Sequence, residues 1–149
     1  MPTFPPSIIA AAQSAQAATG SLASVTLAQW AVESGWGKEP DTGTFNCFGI
    51  KCAPNEGTLC WTHETIGGRS VRCQQWFANY ASLADAFTAH GRLLADEPQY
   101  APARACLPDA LAFVAAMGPV YATDPNYVKV LDEIIQGHDL VQFDVGVTG

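Results

Sequence analysis

Apolar residues recur at helical spacing along most of this chain and alternate with polar ones in only one stretch. Ile8, Ala12, Ala15 and Thr19 share one face of a predicted helix over 8–19, introduced by Pro5-Pro6-Ser7 and stopped by Gly20. Ser24 opens a second helix in which Leu27, Trp30 and Ala31 fall at i, i+3 and i+4; it ends at Glu33, before Ser34-Gly35-Trp36-Gly37. Trp30, on the apolar face, reads as core. Periodicity then fails over 38–58, where glycine, proline, Asp and Asn predict loop. Residues 59–66 and 71–77 are β-prone runs around Gly67-Gly68, the signature of a two-residue hairpin turn. That turn places Glu64 on the same face as Val71 and Cys73. Helices resume at Ser82, which stands with Asp85 at capping-box spacing, and Leu83, Phe87 and Leu94 line one face. Pro108 suits the first turn of a helix ending near Gly118. Asp124-Pro125 predicts the start of a last helix, with Tyr127, Leu131 and Ile134 inward, up to Gly137.

The length of 149 residues and a hydrophobic fraction of 48% suit one mainly α domain, 1–149, with a sizeable core and a frayed tail over 141–149. No repeat or linker divides it. A net charge of -7 repels nucleic acid and anionic lipid, and no apolar run approaches the roughly 20 residues of a membrane helix. A monomer without membrane insertion is expected. Four of the five cysteines, Cys47, Cys52, Cys60 and Cys73, fall in or beside the loop and hairpin, with Cys106 apart. Their spacing lacks the C-x2-C pairs of a zinc site, and His63, His90 and His138 show no metal spacing. At least one disulfide among the four is expected, Cys52–Cys60 first, and with it an oxidising compartment. No metal or cofactor is called for.

Glu33 carries the most chemistry. It ends a helix, where the dipole disfavours a carboxylate, and it lies among tryptophans. If buried, it would keep its proton to near neutrality, as a general acid must.

The segment Ala23-Ser24-Val25-Thr26-Leu27-Ala28-Gln29-Trp30-Ala31-Val32-Glu33-Ser34-Gly35-Trp36-Gly37 resembles the N-terminal signature of the glucosaminidase domains of glycoside hydrolase family 73. Phe45-Asn46-Cys47-Phe48-Gly49-Ile50-Lys51 resembles that family's second block, and Tyr121-Ala122-Thr123-Asp124-Pro125-Asn126-Tyr127 its tyrosine block, in the family's order. The resemblance implies a lysozyme-like fold with a β-hairpin beside the cleft and an endo-β-N-acetylglucosaminidase acting on peptidoglycan. It implies Glu33 as catalytic acid, Glu64 as a second carboxylate on the hairpin, with its role as base, electrostatic stabiliser or neither open, and Tyr121 as an active-site tyrosine. A muramidase or lytic transglycosylase is the nearest rival, and an inactive wall-binding module a rival of another class. Around the acid, Trp36, Phe48, Trp76 and Tyr80 are expected as sugar platforms. Asn46 is expected to contact substrate or shape the loop, and Tyr127 to bind substrate or pack. The N-terminus lacks the basic segment of a secretory signal. Action in the periplasm or outside the cell, after non-Sec export or phage release, is therefore expected. An interbacterial toxin would also need an immunity protein seated in the cleft.

Overall fold

The computed structural model describes residues 3–38 and 45–146. Its elements are α1 (Pro6–Thr19), α2 (Ala23–Glu33), β1 (Gly57–Ile66), β2 (Arg69–Ala78), α3 (Leu83–Asp96), α4 (Ala101–Arg104), α5 (Ala110–Tyr121) and α6 (Tyr127–Gly137). Short 3-10 turns at Pro98–Tyr100 and Leu140–Phe143 complete them. This is the lysozyme-like arrangement of helices around one core, with the hairpin to one side.

Helix α2 is the axis of the core. Nine consecutive residues, Ala23 to Ala31, are buried, polar ones included. Polar side chains buried in this way call for internal partners, and the ones that Gln29 finds build the site. Helix α1 ends at Gly20 in the left-handed region, at φ 85°, a conformation that glycine adopts without steric cost. α1 and α3 lie so close that a Cβ on Gly91 would come within 2.5 Å of the Thr19 hydroxyl oxygen. The Ser82 hydroxyl accepts from the Asp85 amide at 3.1 Å, the expected cap of α3.

Several boundaries differ from the sequence expectation. Pro108 precedes α5 rather than opening it, and Asp109 is the cap, accepting from the Ala112 amide. α5 continues past Gly118 and through Pro119 to Tyr121. Asp124 accepts from the Asn126 amide in a turn, so α6 starts at Tyr127 rather than at Pro125. The segment expected to fray is tied down as far as the described residues reach. Asp144 accepts from the Ser24 amide (2.7 Å) and hydroxyl (2.8 Å), and the Gln16 side chain pairs with both backbone groups of Val145. Residues 147–149 lie outside the described part.

The hairpin register pairs Ile66 with Arg69 and Gly57 with Ala78, so Glu64, opposite Val71, shares its face with Cys73, as the turn predicted. Residues 50–52 run along the other edge of β2: the Ala78 amide donates to Ile50 O and the Cys52 amide to Trp76 O, both at 2.9 Å. That arrangement corrects the expected Cys52–Cys60 disulfide. Cys52 packs against Gly57, three residues before Cys60, a separation of about 10 Å along a strand. A disulfide needs Cα atoms within about 7 Å. Cys52, Cys60, Cys73 and Cys106 carry free thiols.

Candidate active site

A cleft of about 830 Å³ opens between the end of α2, residues 46–51, the hairpin and the end of α5. Glu33, Glu64, Tyr121, Thr123 and Asp124 all line it.

Glu33 is the last residue of α2, partly buried at the cleft wall. Burial raises its pKa from 4.5 to about 7; a hydrogen bond from Tyr127 opposes the rise, and the charge of Glu64 adds to it. The acid therefore holds its proton near neutrality while open to the cleft. One carboxyl oxygen lies against Gly49: a Cβ there would stand 3.2 Å from Oε2. Gly49 also has φ +65°, so both the backbone and the carboxylate favour glycine.

Behind Glu33 runs a buried chain of hydrogen bonds. His90 Nε2 and Gln29 Oε1 are 2.7 Å apart, Gln29 Nε2 donates to the Tyr127 hydroxyl at 3.0 Å, and Tyr127 bonds Glu33. Burial drives the His90 pKa down to about 3, so the ring is neutral. An amide offers one acceptor and one donor end. With Gln29 donating to Tyr127, its oxygen faces His90 and must accept, which places the imidazole proton on Nε2. Tyr127 accepts from Gln29 and gives its own proton to Glu33. The polarity of the chain is thus fixed from core to cleft.

The loop before the hairpin is pinned from both sides. Phe48 is fully buried, stacked on His90 (4.1 Å) and edge-on to Phe87 (4.9 Å). The Tyr121 hydroxyl donates to Phe48 O at 2.7 Å. Asn46 donates to Ile50 O and Ala78 O and accepts from the Ile50 amide, so it shapes the loop while lining the cleft. Glu64, on the hairpin, forms an ion pair with Lys51. The Thr65 amide donates to the Thr123 hydroxyl at 3.2 Å, joining the hairpin to the segment that follows α5.

The structure thus brings together Glu33, Glu64, Tyr121, Tyr127 and Asn46, and leaves most of the expected platforms aside. Phe48 is core and offers no face to a sugar. Trp36 is the middle residue of a left-handed run, Gly35 to Gly37, that turns it back against Phe4 (4.8 Å) and His138 (5.1 Å). Trp76 lies opposite Leu59 on the hairpin, and Tyr80 is near Cys52 and Cys47. Among the described residues, none of these four lines the cleft. Gln29, Lys51 and Trp61 were not anticipated. A glutamine inside an otherwise apolar helix was the available signal for Gln29. Lys51 closed the second block, and Trp61 preceded the Thr62-His63-Glu64 run. Among the described residues, no three metal-ligating side chains cluster, and no helix is long and apolar enough to cross a membrane.

Comparison with known proteins agrees with this fold. The sequence profile of the glucosaminidase family, described as mannosyl-glycoprotein endo-beta-N-acetylglucosaminidase, matches residues 9–140. The peptidoglycan hydrolase FlgJ of Salmonella typhimurium is 34% identical over 118 residues, covering 74% of this chain and 37% of that protein. A probable N-acetylmuramidase of Lactococcus lactis is 33% identical over 150 residues, covering 95% of this chain and 34% of that protein. A mutant peptidoglycan hydrolase from Sphingomonas sp. A1 superposes with a TM-score of 0.76 at 32% identity, covering 90% of this chain and 92% of that one. The chain spans about two fifths of the length of the curated relatives it matches. Because the profile match takes in both the acid-bearing helix and the tyrosine block, and the fold agrees, the chain belongs to the glucosaminidase family, glycoside hydrolase family 73.

Proposed function

We propose that this domain hydrolyses the glycan strand of peptidoglycan after N-acetylglucosamine, with Glu33 as the general acid. The observation that carries the reading is a carboxyl group whose pKa burial raises to about 7, on the wall of a cleft of about 830 Å³. Protonated Glu33 would give its proton to the glycosidic oxygen as the bond breaks, and positive charge would develop on the sugar ring. Glu64, on the hairpin, would stabilise that charge or draw a proton from the incoming water. Tyr127 would receive no proton; it holds the Glu33 carboxylate left after transfer. Tyr121 would act through Phe48 O, holding the loop that carries Gly49 and Lys51.

The test is digestion of purified peptidoglycan, with the new reducing end identified by mass spectrometry. N-acetylglucosamine at that end is expected. N-acetylmuramic acid there would favour the muramidase reading, which similarity to the probable N-acetylmuramidase supports. Glu33→Gln keeps size and removes the transferable proton. Cleavage should fall about 10²-fold or more with the fold intact, and near-parental cleavage by folded variant would remove Glu33 from this role. Delivered to a neighbouring cell as a toxin, or released as a phage lysin, the domain would bring the same chemistry to the wall. A protein seated in the cleft would then protect the producer.

A further inference from the structure

Trp61 stands out among the aromatic residues. It is 57% exposed, whereas Trp30 is buried and Trp36 and Trp76 are partly so. It also lines the cleft, beside His63 on the same face of the hairpin. The Arg72 guanidinium carbon lies 4.1 Å from the centroid of its ring. Arg72 is exposed and pairs with His63 across the strands. An arginine over one face of an indole holds the ring in place and leaves the opposite face open. An open indole face fits the C–H face of a pyranose.

Charge adds a second observation. The chain carries -7, yet its hairpin holds two arginines, Arg69 and Arg72, against a single acid, Glu64. That acid is occupied by Lys51. The hairpin is therefore cationic overall, with Arg72 over the cleft-lining Trp61, while Asp124, which lines the cleft beyond α5, is acidic. A neutral polysaccharide gives no use for this asymmetry. A glycan strand bearing acidic peptides does, because its sugars carry carboxylates at regular intervals.

We propose that Trp61 and Arg72 form a subsite that stacks one sugar of the strand and pairs with a carboxylate of the peptide attached to its neighbour. The inference rests on the peptidoglycan reading and deepens it: the substrate is the peptide-bearing strand rather than the bare glycan. Arg72 suits the task, since its planar fork accepts a carboxylate while its face remains on the indole. Both side chains are exposed, so their substitution leaves the core untouched.

The experiment uses three soluble strands: native, native with peptide carboxyls converted to amides, and strands stripped of peptide by an amidase. KM and kcat are measured for the parent and for Arg72→Gln, Arg72→Lys and Trp61→Ala. Binding of all three strands is also followed in a Glu33→Gln background, which needs no turnover. The parent is expected to prefer native over amidated strands about fivefold, through KM, the scale of one partly exposed ion pair. Arg72→Gln should bring that ratio to near one, and Arg72→Lys should recover part of it. Trp61→Ala should weaken binding of native and amidated strands alike. Equal use of native and amidated strands by the parent, or a preference that survives Arg72→Gln, would overturn the proposal. An Arg72-dependent preference for stripped strands, which expose the lactyl carboxylate, would also overturn the assignment to the peptide. Failure of the catalytic reading looks different: no strand would be cut, while binding in the Glu33→Gln background would still report on the carboxylate.

Discussion

Glu33 sits between two opposing influences, burial that favours its protonated form and a tyrosine hydroxyl that favours its charged form. Burial wins, and this has a cost that depends on pH. Below about 4.5 the side chain is protonated in both the folded and unfolded chain, and nothing is lost. From there to about 7 the unfolded chain releases a proton that the folded one keeps, so stability falls, with an upper bound of about 3 kcal/mol above that range. Glu33→Gln should therefore melt above the parent at pH 8, with the difference fading near pH 4. Melting curves at the two pH values check this, and equal differences at both would contradict it. Tyr127→Phe removes the hydrogen bond that favours the carboxylate. The descending limb of kcat/KM, near pH 7 in the parent, should move to higher pH in that variant. A limb that stays in place would mean that Tyr127 serves packing alone. Of these residues, the place of Glu33 at the end of α2 was legible in the helix pattern, whereas its selection as the acid rested on the resemblance of the three blocks. The role of Tyr127 was not, because its i+4 relation to Leu131 predicts core equally well and the hydroxyl's partners come from another helix.

At the scale of elements, the hairpin is joined to the body by few polar contacts. Lys51 holds Glu64 and Thr123 holds the Thr65 amide, while residues 50–52 run along β2. The lysine is half exposed, and such pairs contribute at most about 1 kcal/mol. Lys51→Met is expected to leave the melting temperature within a few degrees of the parent. Amide exchange in residues 57–78 should nevertheless rise, and cleavage should fall. Unchanged exchange in the hairpin would show that the ion pair restrains nothing. Elements themselves were read well wherever a repeat or a turn residue marked them: α1 and its Gly20 stop, α2, the Gly67-Gly68 hairpin and the Ser82 cap. The misplacements fell at Pro108, Pro119 and Pro125. Proline constrains its own φ and removes one donor, but it does not say whether the helix starts before, after or around it. The capping partners decide, and those are three-dimensional.

Across the whole molecule, the lysozyme-like architecture was legible because three blocks in order fix which helices face the cleft. The aromatic platforms were misread for a related reason. An aromatic in a loop can turn inward, and Phe48 does so because Phe87 and His90 offer it a buried seat. The expected disulfide failed because cysteines near in sequence are separated by the pairing of β2 with two neighbours. The acid and its hydrogen-bond chain belong to the helical body, while the exposed tryptophan and the arginines belong to a ribbon that pairs mainly with itself. That division has an evolutionary consequence. A lineage that keeps Glu64 can change the rest of the ribbon to meet a new cell-wall chemistry while burial in the helical body goes on setting most of the proton donor's pKa, so diversification should concentrate there. Transplanting residues 57–78, with Glu64 retained, from a relative with another wall preference should carry that preference across. The pH profile should then stay close to the recipient's.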